Sequence, residues 1–156
     1  GRLSSWSTDH LSVWIDHLLV CASGISAESV CIFDGMKWKY EPVTKDEAYA
    51  TVLSLAEVYH EGLNRAVHFF PKSSYAYAEE LLKSGDSSAA FRAARKAWFP
   101  DPFRQGSIES DDPYHRFCFG NHPGFSEGTF PLDDEFERLA QKIFIPLLSV
   151  REETHE

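Results

Sequence analysis

Residues 30–40, with the sequence VCIFDGMKWKY, decide the fold class because they predict a β-hairpin in an otherwise helical chain. Residues 30–33 and 36–40 have the composition of two short strands, and Asp34 and Gly35 separate them. A two-residue Asp-Gly loop favours a type I′ turn, since both central residues of that turn need positive φ angles. The sequence therefore predicts two antiparallel strands joined by a tight turn.

Apolar and charged residues alternate along the second strand, which predicts one packed face and one solvent-exposed face for the hairpin. Met36, Trp38 and Tyr40 share the first face, whereas Lys37 and Lys39 share the second. A lone hairpin is only marginally stable in water, so it needs a helix or a third strand against its apolar face. The rest of the chain must supply that cover.

The first helix is predicted over residues 9–22, where apolar side chains recur at helical spacing. The stripe consists of Leu11, Trp14, Ile15, Leu18 and Ala22. Ser7 or Thr8 is expected to cap its start, and Gly24 is expected to stop it in a left-handed conformation. His10 and His17 lie seven residues apart, which places them on nearly the same face as Trp14. Two ligands are rarely enough for a metal, so this pair is expected to bond to its protein neighbours.

A capping box at Thr44 and Glu47 begins the second helix, which is expected to end at Gly62. This helix is expected to carry Tyr49, Val52, Leu53 and Ala56 on one face. Residues 66–70 form a short apolar run that ends at a proline, and they are the predicted third strand of the sheet.

Four further patterns of helix start and stop follow the third predicted strand. The expected caps are Ser73 or Ser74, Asp86 or Ser87, and Asp111 or Asp112, and a loop over residues 121–130 leads to the last helix, which is expected to start at Asp133. The expected ends lie near Lys83, Trp98, Gly120 and Val150. Pro146 should kink or end the last helix, and the acidic tail after Arg151 is expected to fray. The chain, residues 1–156, is thus expected to be a single α+β domain, helix-rich with a small, mostly antiparallel sheet.

Charge limits the possible functions. The 156 residues include 15 basic and 24 acidic side chains, which gives a formal net charge of −9. This balance argues against autonomous binding to nucleic acid or to an anionic membrane, because phosphate contacts need clustered Lys and Arg. Any such contact must come from a local basic patch. The longest strictly apolar run, residues 18–22, is far shorter than the roughly 20 residues that span a bilayer.

Cysteine usage points to a reducing compartment. Cys21, Cys31 and Cys118 are odd in number, widely spaced and surrounded by apolar neighbours. They are expected to be buried thiols in a reduced, cytoplasmic protein. Because no CxxC pair exists, the sequence also excludes a zinc ribbon.

Several catalytic motifs are absent from the sequence. GxxxxGK[ST], GxGxxG and HExxH do not occur, which argues against the nucleotide-binding and metalloprotease sites that those motifs build. A metal-dependent nuclease of the PD-(D/E)XK class needs a carboxylate two residues before a lysine on a strand. No [DE]xK occurs either, so the sequence argues against that activity.

The densest acidic cluster, Glu109, Asp111 and Asp112 with His115 nearby, has two interpretations. It could hold a divalent cation, with His115 as a general base, because hard cations prefer several carboxylate oxygens. Alternatively, Asp111 or Asp112 caps the helix before Pro113 and the other carboxylates are solvated. Capping explains the local order without a ligand.

Arg92, Arg95 and Lys96 form a basic face on the predicted helix that ends near Trp98. Such a face is most often simply solvated. It could also contact a nucleic-acid backbone or an acidic partner.

Five segments, in order, resemble the C-terminal domain of the RecC family. They are WIDHLLVCASG at 14–24, FPKSSYAY at 70–77, AARKAW at 93–98, SIESDDPY at 107–114 and FIPLL at 144–148. The resemblance runs from about Leu11 to Leu148 and so covers nearly the whole chain. RecC is the gamma subunit of exodeoxyribonuclease V, the bacterial RecBCD helicase–nuclease.

The resemblance implies a fold related to the PD-(D/E)XK nucleases that has lost its catalytic residues, and the missing [DE]xK agrees with it. It implies a non-catalytic C-terminal fragment of a larger subunit, with no cofactor of its own. That domain would pack against the rest of RecC, RecB and RecD and help to route separated DNA strands. The parent complex would use ATP and Mg²⁺ on double-strand DNA ends during repair and recombination. A divergent metal-dependent nuclease using Glu109, Asp111 and Asp112 is the alternative.

Overall fold

The computed structural model describes residues 3–33, 36–99, 108–127 and 130–155. Within those ranges the chain forms a helix-rich α+β fold. Its helices are α1 (Leu3–Ala22), α2 (Lys45–Asn64), α3 (Pro71–Ser84), α4 (Ser87–Trp98), α5 (Pro113–Phe119), α6 (Pro123–Glu127) and α7 (Asp134–Ser149), with a 3₁₀ turn at Glu109–Asp111. Its strands are β1 (Ser29–Phe33), β2 (Met36–Tyr40) and β3 (Arg151–His155). The predicted fold class is confirmed.

The predicted hairpin is confirmed. β1 and β2 pair antiparallel, with Phe33 opposite Met36, so that two residues separate the strands. Trp38 and Tyr40 are buried, which confirms that their side of β2 is the packed side. The two turn residues themselves, at 34 and 35, lie outside the described residues.

The predicted third strand is wrong. Residues 66–70 form an irregular connection between α2 and α3, and the third strand is β3, in the tail that was expected to fray. β3 pairs antiparallel with the other edge of β2, where Arg151 lies opposite Tyr40 and Glu152 opposite Lys39. A polar strand at the edge of a sheet lacks the alternating apolar residues by which strands are recognised in a sequence. This strand could therefore be recognised only from the unpaired edge of β2, to which it binds.

Helix α1 begins earlier than predicted. It starts at Leu3, so that Ser7 and Thr8 lie inside it and do not cap it. Its end is as predicted, because Gly24 adopts a φ of +93°, which only glycine reaches without strain. Its buried face includes Trp14 and Leu18, as predicted, whereas Ile15 is 38% exposed.

Helix α2 has the predicted start, and the face predicted to carry its apolar residues is mostly exposed. The Thr44 and Glu47 side chains form both bonds of the capping box, and the helix continues two residues past Gly62. Ala48 and Val58 are its buried residues. Most of the predicted face points to solvent: Tyr49 is 59% exposed, Leu53 is 48% exposed and Ala56 is exposed, whereas Val52 is partly buried. The apolar side chains of α2 extend over a larger part of the helix surface than the neighbouring elements cover.

Helices α4, α5 and α7 begin where they were predicted to begin, whereas α6 (Pro123–Glu127) lies where a loop was expected. Asp86, Asp112 and Asp133 cap α4, α5 and α7 with their carboxylates. Helix α3 differs, because its N-cap is Phe70 and the predicted caps, Ser73 and Ser74, lie buried inside it. In α7, Pro146 does not end the helix, which runs on to Ser149. A proline this close to the C-terminal end removes one backbone bond in the last turns only.

Helix α7 joins the two halves of the core. One half packs α1, β2 and the end of α7 together, around Trp14, Tyr40 and Phe144. The other half packs α3, α4 and the start of α7 together, around Trp98 and Phe136. Both halves also receive side chains from α3, so α3 and α7 form the frame on which the other elements lie.

The two buried histidines of α1 serve the fold. His10 Nδ1 lies 2.8 Å from the Tyr40 hydroxyl, and its ring packs edge-on against Trp38. His17 Nδ1 lies 2.9 Å from the Ser29 hydroxyl, and its Nε2 lies 3.1 Å from the backbone oxygen of Glu41. The expectation that this pair bonds to its protein neighbours is confirmed.

The pKa of His10 makes stability depend on pH. Burial, with the nearby charge of Arg151, lowers this pKa from 6.5 to about 4. The unfolded chain therefore binds a proton near pH 6.5 that the folded chain does not accept until about pH 4. Stability should be lost as the pH falls through this window. We expect the free energy of unfolding, from urea titrations, to decline more steeply there in the wild type than in His10→Gln.

The matched control is His60→Gln, which replaces an exposed histidine of α2. It should retain the pH slope of the wild type. If His10→Gln and the wild type gave parallel curves between pH 6.5 and 4, the buried neutral imidazole would not be the cause of the acid sensitivity.

Candidate partner and nucleic-acid interface

The members of the acidic cluster have separate structural roles. Glu109 is the first of them. This side chain is 5% exposed and lies at the N-terminus of α3. Its carboxylate accepts hydrogen bonds from the backbone amides of Lys72 (2.9 Å) and Ser73 (2.7 Å) and from the Ser73 hydroxyl (2.6 Å). Phe70, the N-cap residue, has no side-chain acceptor to offer, so Glu109 satisfies amides that would otherwise be unpaired.

Burial raises the pKa of the Glu109 carboxyl, and the bonds from Ser73 and Lys72 oppose that rise. The amides that bind it belong to the positive end of the α3 dipole, which favours a negative group. The position of Glu109 thus follows from helix capping, with no ligand required.

The other members of the cluster also point away from a shared site. The Asp112 carboxylate accepts from the amides of Tyr114 (2.9 Å) and His115 (3.3 Å) and so caps α5. Asp111 is exposed and lies 4.0 Å from Arg116. His115 Nδ1 lies 2.9 Å from the backbone oxygen of Glu109. Among the residues that the structure describes, no three His, Cys, Asp or Glu side chains are grouped to hold a metal ion.

The basic residues on α4 do come together. Arg92, Arg95 and Lys96 are all exposed, on the side of the helix away from the buried Ala94 and Trp98. Arg92 lies 3.8 Å from the Asp86 carboxylate, which is a long and solvated ion pair.

At the end of α4, the Arg95 guanidinium lies 6.0 Å from the centre of the Phe99 ring. A cation at this distance is attracted to the face of the ring. The predicted basic face is therefore one continuous surface with an aromatic side chain at its C-terminal end.

Helix α5 carries two exposed aromatic residues that sequence reasoning missed. Tyr114 is 80% exposed and Phe117 is 88% exposed. His115 and Phe119, on the other side of the helix, pack edge-on against Phe70. The pattern of PYHRFCF could have indicated this division, because aromatic residues occur on two faces of so short a helix and only one face can reach the core.

A second exposed apolar surface lies on α2, and we call it the α2 apolar face. It consists of Tyr49, Leu53, Tyr59 and Leu63, which are 59%, 48%, 71% and 66% exposed. Large apolar side chains grouped on one surface are typical of interaction sites. In the described part of the chain, no helix is long and apolar enough to cross a membrane.

Comparison with known proteins gives a family. The sequence model for the RecC C-terminal domain matches residues 4–82, just over half of the chain, from α1 into α3. RecBCD enzyme subunit RecC of Escherichia coli strain K12 is 32% identical over 69 residues. That match covers 43% of this chain and 6% of the relative, so the chain spans a small part of that protein's length. The family match includes the α2 apolar face and ends before α4.

The capping role of Glu109 predicts the effect of its removal. Glu109→Ala leaves three donors without an acceptor, and an unpaired buried donor costs about 1–3 kcal/mol, so we expect the free energy of unfolding to fall by at least about 3 kcal/mol. Asp111→Ala, at an exposed position of the same turn, should change it by less than about 0.5 kcal/mol. Urea denaturation followed by circular dichroism measures both values.

The same variants test the metal-site interpretation. If Glu109 were a ligand, Mg²⁺ or Mn²⁺ would raise the melting temperature of the wild type and not that of Glu109→Ala, because a ligand that binds only the folded state stabilises it. We expect neither ion to shift it. Equal losses of stability in Glu109→Ala and Asp111→Ala would contradict the capping role.

Proposed function

The chain belongs to the RecC C-terminal domain family, and we propose that it is a non-catalytic assembly domain of a RecC-type subunit. It would dock against the rest of that subunit and against RecB and RecD in a cytoplasmic helicase–nuclease, with no contact to membrane. The complex would act on double-strand DNA ends in repair and recombination. ATP and Mg²⁺ would serve other parts of the complex, since this domain is proposed to have no cofactor.

A non-catalytic role is supported by the use of the carboxylates. A nuclease site needs several carboxylate oxygens around a cation. Glu109 and Asp112 direct theirs at backbone amides of α3 and α5 instead. Together with the missing [DE]xK pattern, this supports the proposal that the domain has no nuclease chemistry. It also leaves the alternative, a divergent metal-dependent nuclease, without a ligand set in the described part of the chain.

The α2 apolar face is the observation that best supports the proposed docking to another protein. Interfaces gain most of their binding energy from a few large side chains, with aromatic residues enriched among them. Two of the four residues that define this face are tyrosines, Tyr49 and Tyr59. The face also lies within the residues that match the family. A surface with this composition fits a role in contacting another protein.

Strand routing is the second part of the proposal, and the basic face of α4 supports it. Arg92, Arg95 and Lys96 provide three cations on one exposed surface of a chain with a net charge of −9. We propose these residues as the contact to nucleic acid or to an acidic partner.

Docking through α2 can be tested with two matched leucines. Leu53 on α2 and Leu82 on α3 are each 48% exposed, so a charge should be equally tolerated by the fold at either position. The immobilised chain should retain purified RecB, with and without RecD, at near-physiological salt. We expect Leu53→Glu to weaken this retention by at least about tenfold, because it would bury an unpaired carboxylate in the interface. Leu82→Glu should leave it unchanged.

Urea denaturation of both variants provides the control for folding. Equal weakening by Leu53→Glu and Leu82→Glu would argue against the α2 apolar face as the docking surface. Absence of RecB and RecD retention by the wild-type chain would overturn the proposal that it docks autonomously onto these subunits.

A further inference from the structure

The two edges of the sheet differ in charge. Strand β3, at one edge, has the sequence REETH, whereas β1, at the other edge, has the sequence SVCIF and no charged residue. Exposed sheet edges are usually protected by charged side chains, prolines or bulges, because their unpaired backbone groups can pair with another chain. Within the described residues, no strand pairs with the outer side of β1. This edge therefore lacks the protection that β3 has.

The solvent-facing side chains of β1 are apolar. Val30 is 47% exposed, and Ile32, at 74%, is the most exposed aliphatic side chain in the described part of the chain. Because they are two residues apart, they lie on the same face of the strand. Their partners on β2 are Lys39 and Lys37, so neither has an apolar neighbour across that pairing. A strand added on the outer side of β1 would supply one.

The pairing of β2 shows which backbone groups of β1 are free. The Glu41 amide, directly after β2, donates to the backbone oxygen of Val150 at 3.1 Å, on the β3 side. Backbone groups of successive strand residues point to opposite sides, so the even-numbered residues of β2 bond to β1. Their partners are the odd-numbered residues of β1. The N–H and C=O groups of Val30 and Ile32 therefore point outward from the sheet.

We propose that β1 pairs antiparallel with β1 of a second copy of this chain, across a two-fold axis at Cys31. In this register Val30 of each copy lies opposite Ile32 of the other. The two residues exchange both of their outward hydrogen bonds, and the two three-stranded sheets become one continuous sheet. The inference goes beyond the proposed function, because it concerns two copies of the chain and not docking to RecB or RecD.

The sequence of β1 is self-complementary in this register alone. Each β-branched side chain on the solvent face meets a β-branched side chain of the other copy, a pairing that stabilises sheets. An axis at Val30 would place Ile32 opposite Glu28 of the other copy, and an axis at Ile32 would place Val30 opposite the turn. The axis at Cys31 keeps all five residues of β1 paired.

Charge also favours this surface for contact between copies. Each chain has a formal net charge of −9, so two copies repel each other at most orientations. Strands β1 and β2 contain no acidic residue and two lysines, Lys37 and Lys39. In the joined sheet the lysine rows of the two copies are three strand spacings apart, about 14 Å. This exceeds the screening length of about 8 Å at physiological salt, so the lysines do not oppose the pairing.

Sedimentation equilibrium of the wild-type chain and two variants tests the pairing. We expect the wild type to form a dimer. Val30→Pro removes an outward N–H and leaves the bonds between β1 and β2 intact, since proline is tolerated where the N–H of an edge strand faces solvent. Ile32→Lys places a charge in the apolar row. Each should weaken the dimer by at least about tenfold, because the two-fold axis doubles each loss.

Two further variants serve as matched controls. Val30→Thr retains the N–H and the β-branched shape, and Ile25→Lys makes the same change as Ile32→Lys at an isoleucine that is 60% exposed and lies before β1. Each should change the dimer dissociation constant by less than about threefold. Urea denaturation verifies that all four variants fold.

Cys31 provides a test of the register. At the axis the two Cys31 residues form a pair without hydrogen bonds, with Cα atoms about 4.5 Å apart, which is within the range of a disulfide. Cys21 is buried and Cys118 is exposed, so Cys118→Ser removes the competing surface thiol. Oxidation of Cys118→Ser by copper phenanthroline should link two copies covalently, and the further change Cys31→Ser should abolish the link.

Three outcomes would overturn the inference. They are a monomer at concentrations up to about 1 mM, equal effects of Ile32→Lys and Ile25→Lys, and a dimer that Cys31 does not link. Loss of the dimer in Leu53→Glu but not in Ile32→Lys would likewise overturn it and assign self-association to the α2 apolar face. Retention of RecB is measured separately, so failure of the docking proposal and failure of this pairing are distinguishable.

Discussion

The buried contact between the Glu109 carboxylate and the first amides of α3 is the constraint on which the arrangement of the candidate surfaces depends. It links two parts of the chain that are 36 residues apart in sequence, with a hydroxyl and two amides as donors. Transfer of a carboxylate from water to the interior is strongly unfavourable unless such partners compensate it. Because Glu109 is held there, the Asp112 cap and the whole of α5 begin at a fixed place beside α4.

The C-terminal strand depends on a similar tie between distant residues. Arg151, at the start of β3, donates a hydrogen bond to the Tyr75 hydroxyl of α3 and lies 3.6 Å from the Glu79 carboxylate. The guanidinium also lies 5.7 Å from the centre of the Tyr75 ring. A single side chain thus joins the edge of the sheet to the helix that frames both halves of the core. This contact, together with pairing to β2, orders a tail whose own composition is polar.

Features that depend on neighbouring residues could be predicted from the sequence, whereas features set by distant partners could not. The hairpin, the capping box at Thr44, the cap at Asp86 and the start of α7 at Asp133 each follow from a few adjacent residues, and the structure has all of them. Residues 66–70 have the composition of a strand, but no free strand edge reaches them. The polar β3 takes the place on β2 instead.

The same division holds for the candidate surfaces. Helical spacing correctly brought Arg92, Arg95 and Lys96 onto one exposed face. It could not decide which of two apolar arcs of α2 is buried, since that depends on where α1 packs. Nor could it show that the Glu109 carboxylate reaches α3, because the two segments are far apart in the chain. The exposure of Phe117 likewise depends on the inward anchoring of Phe119.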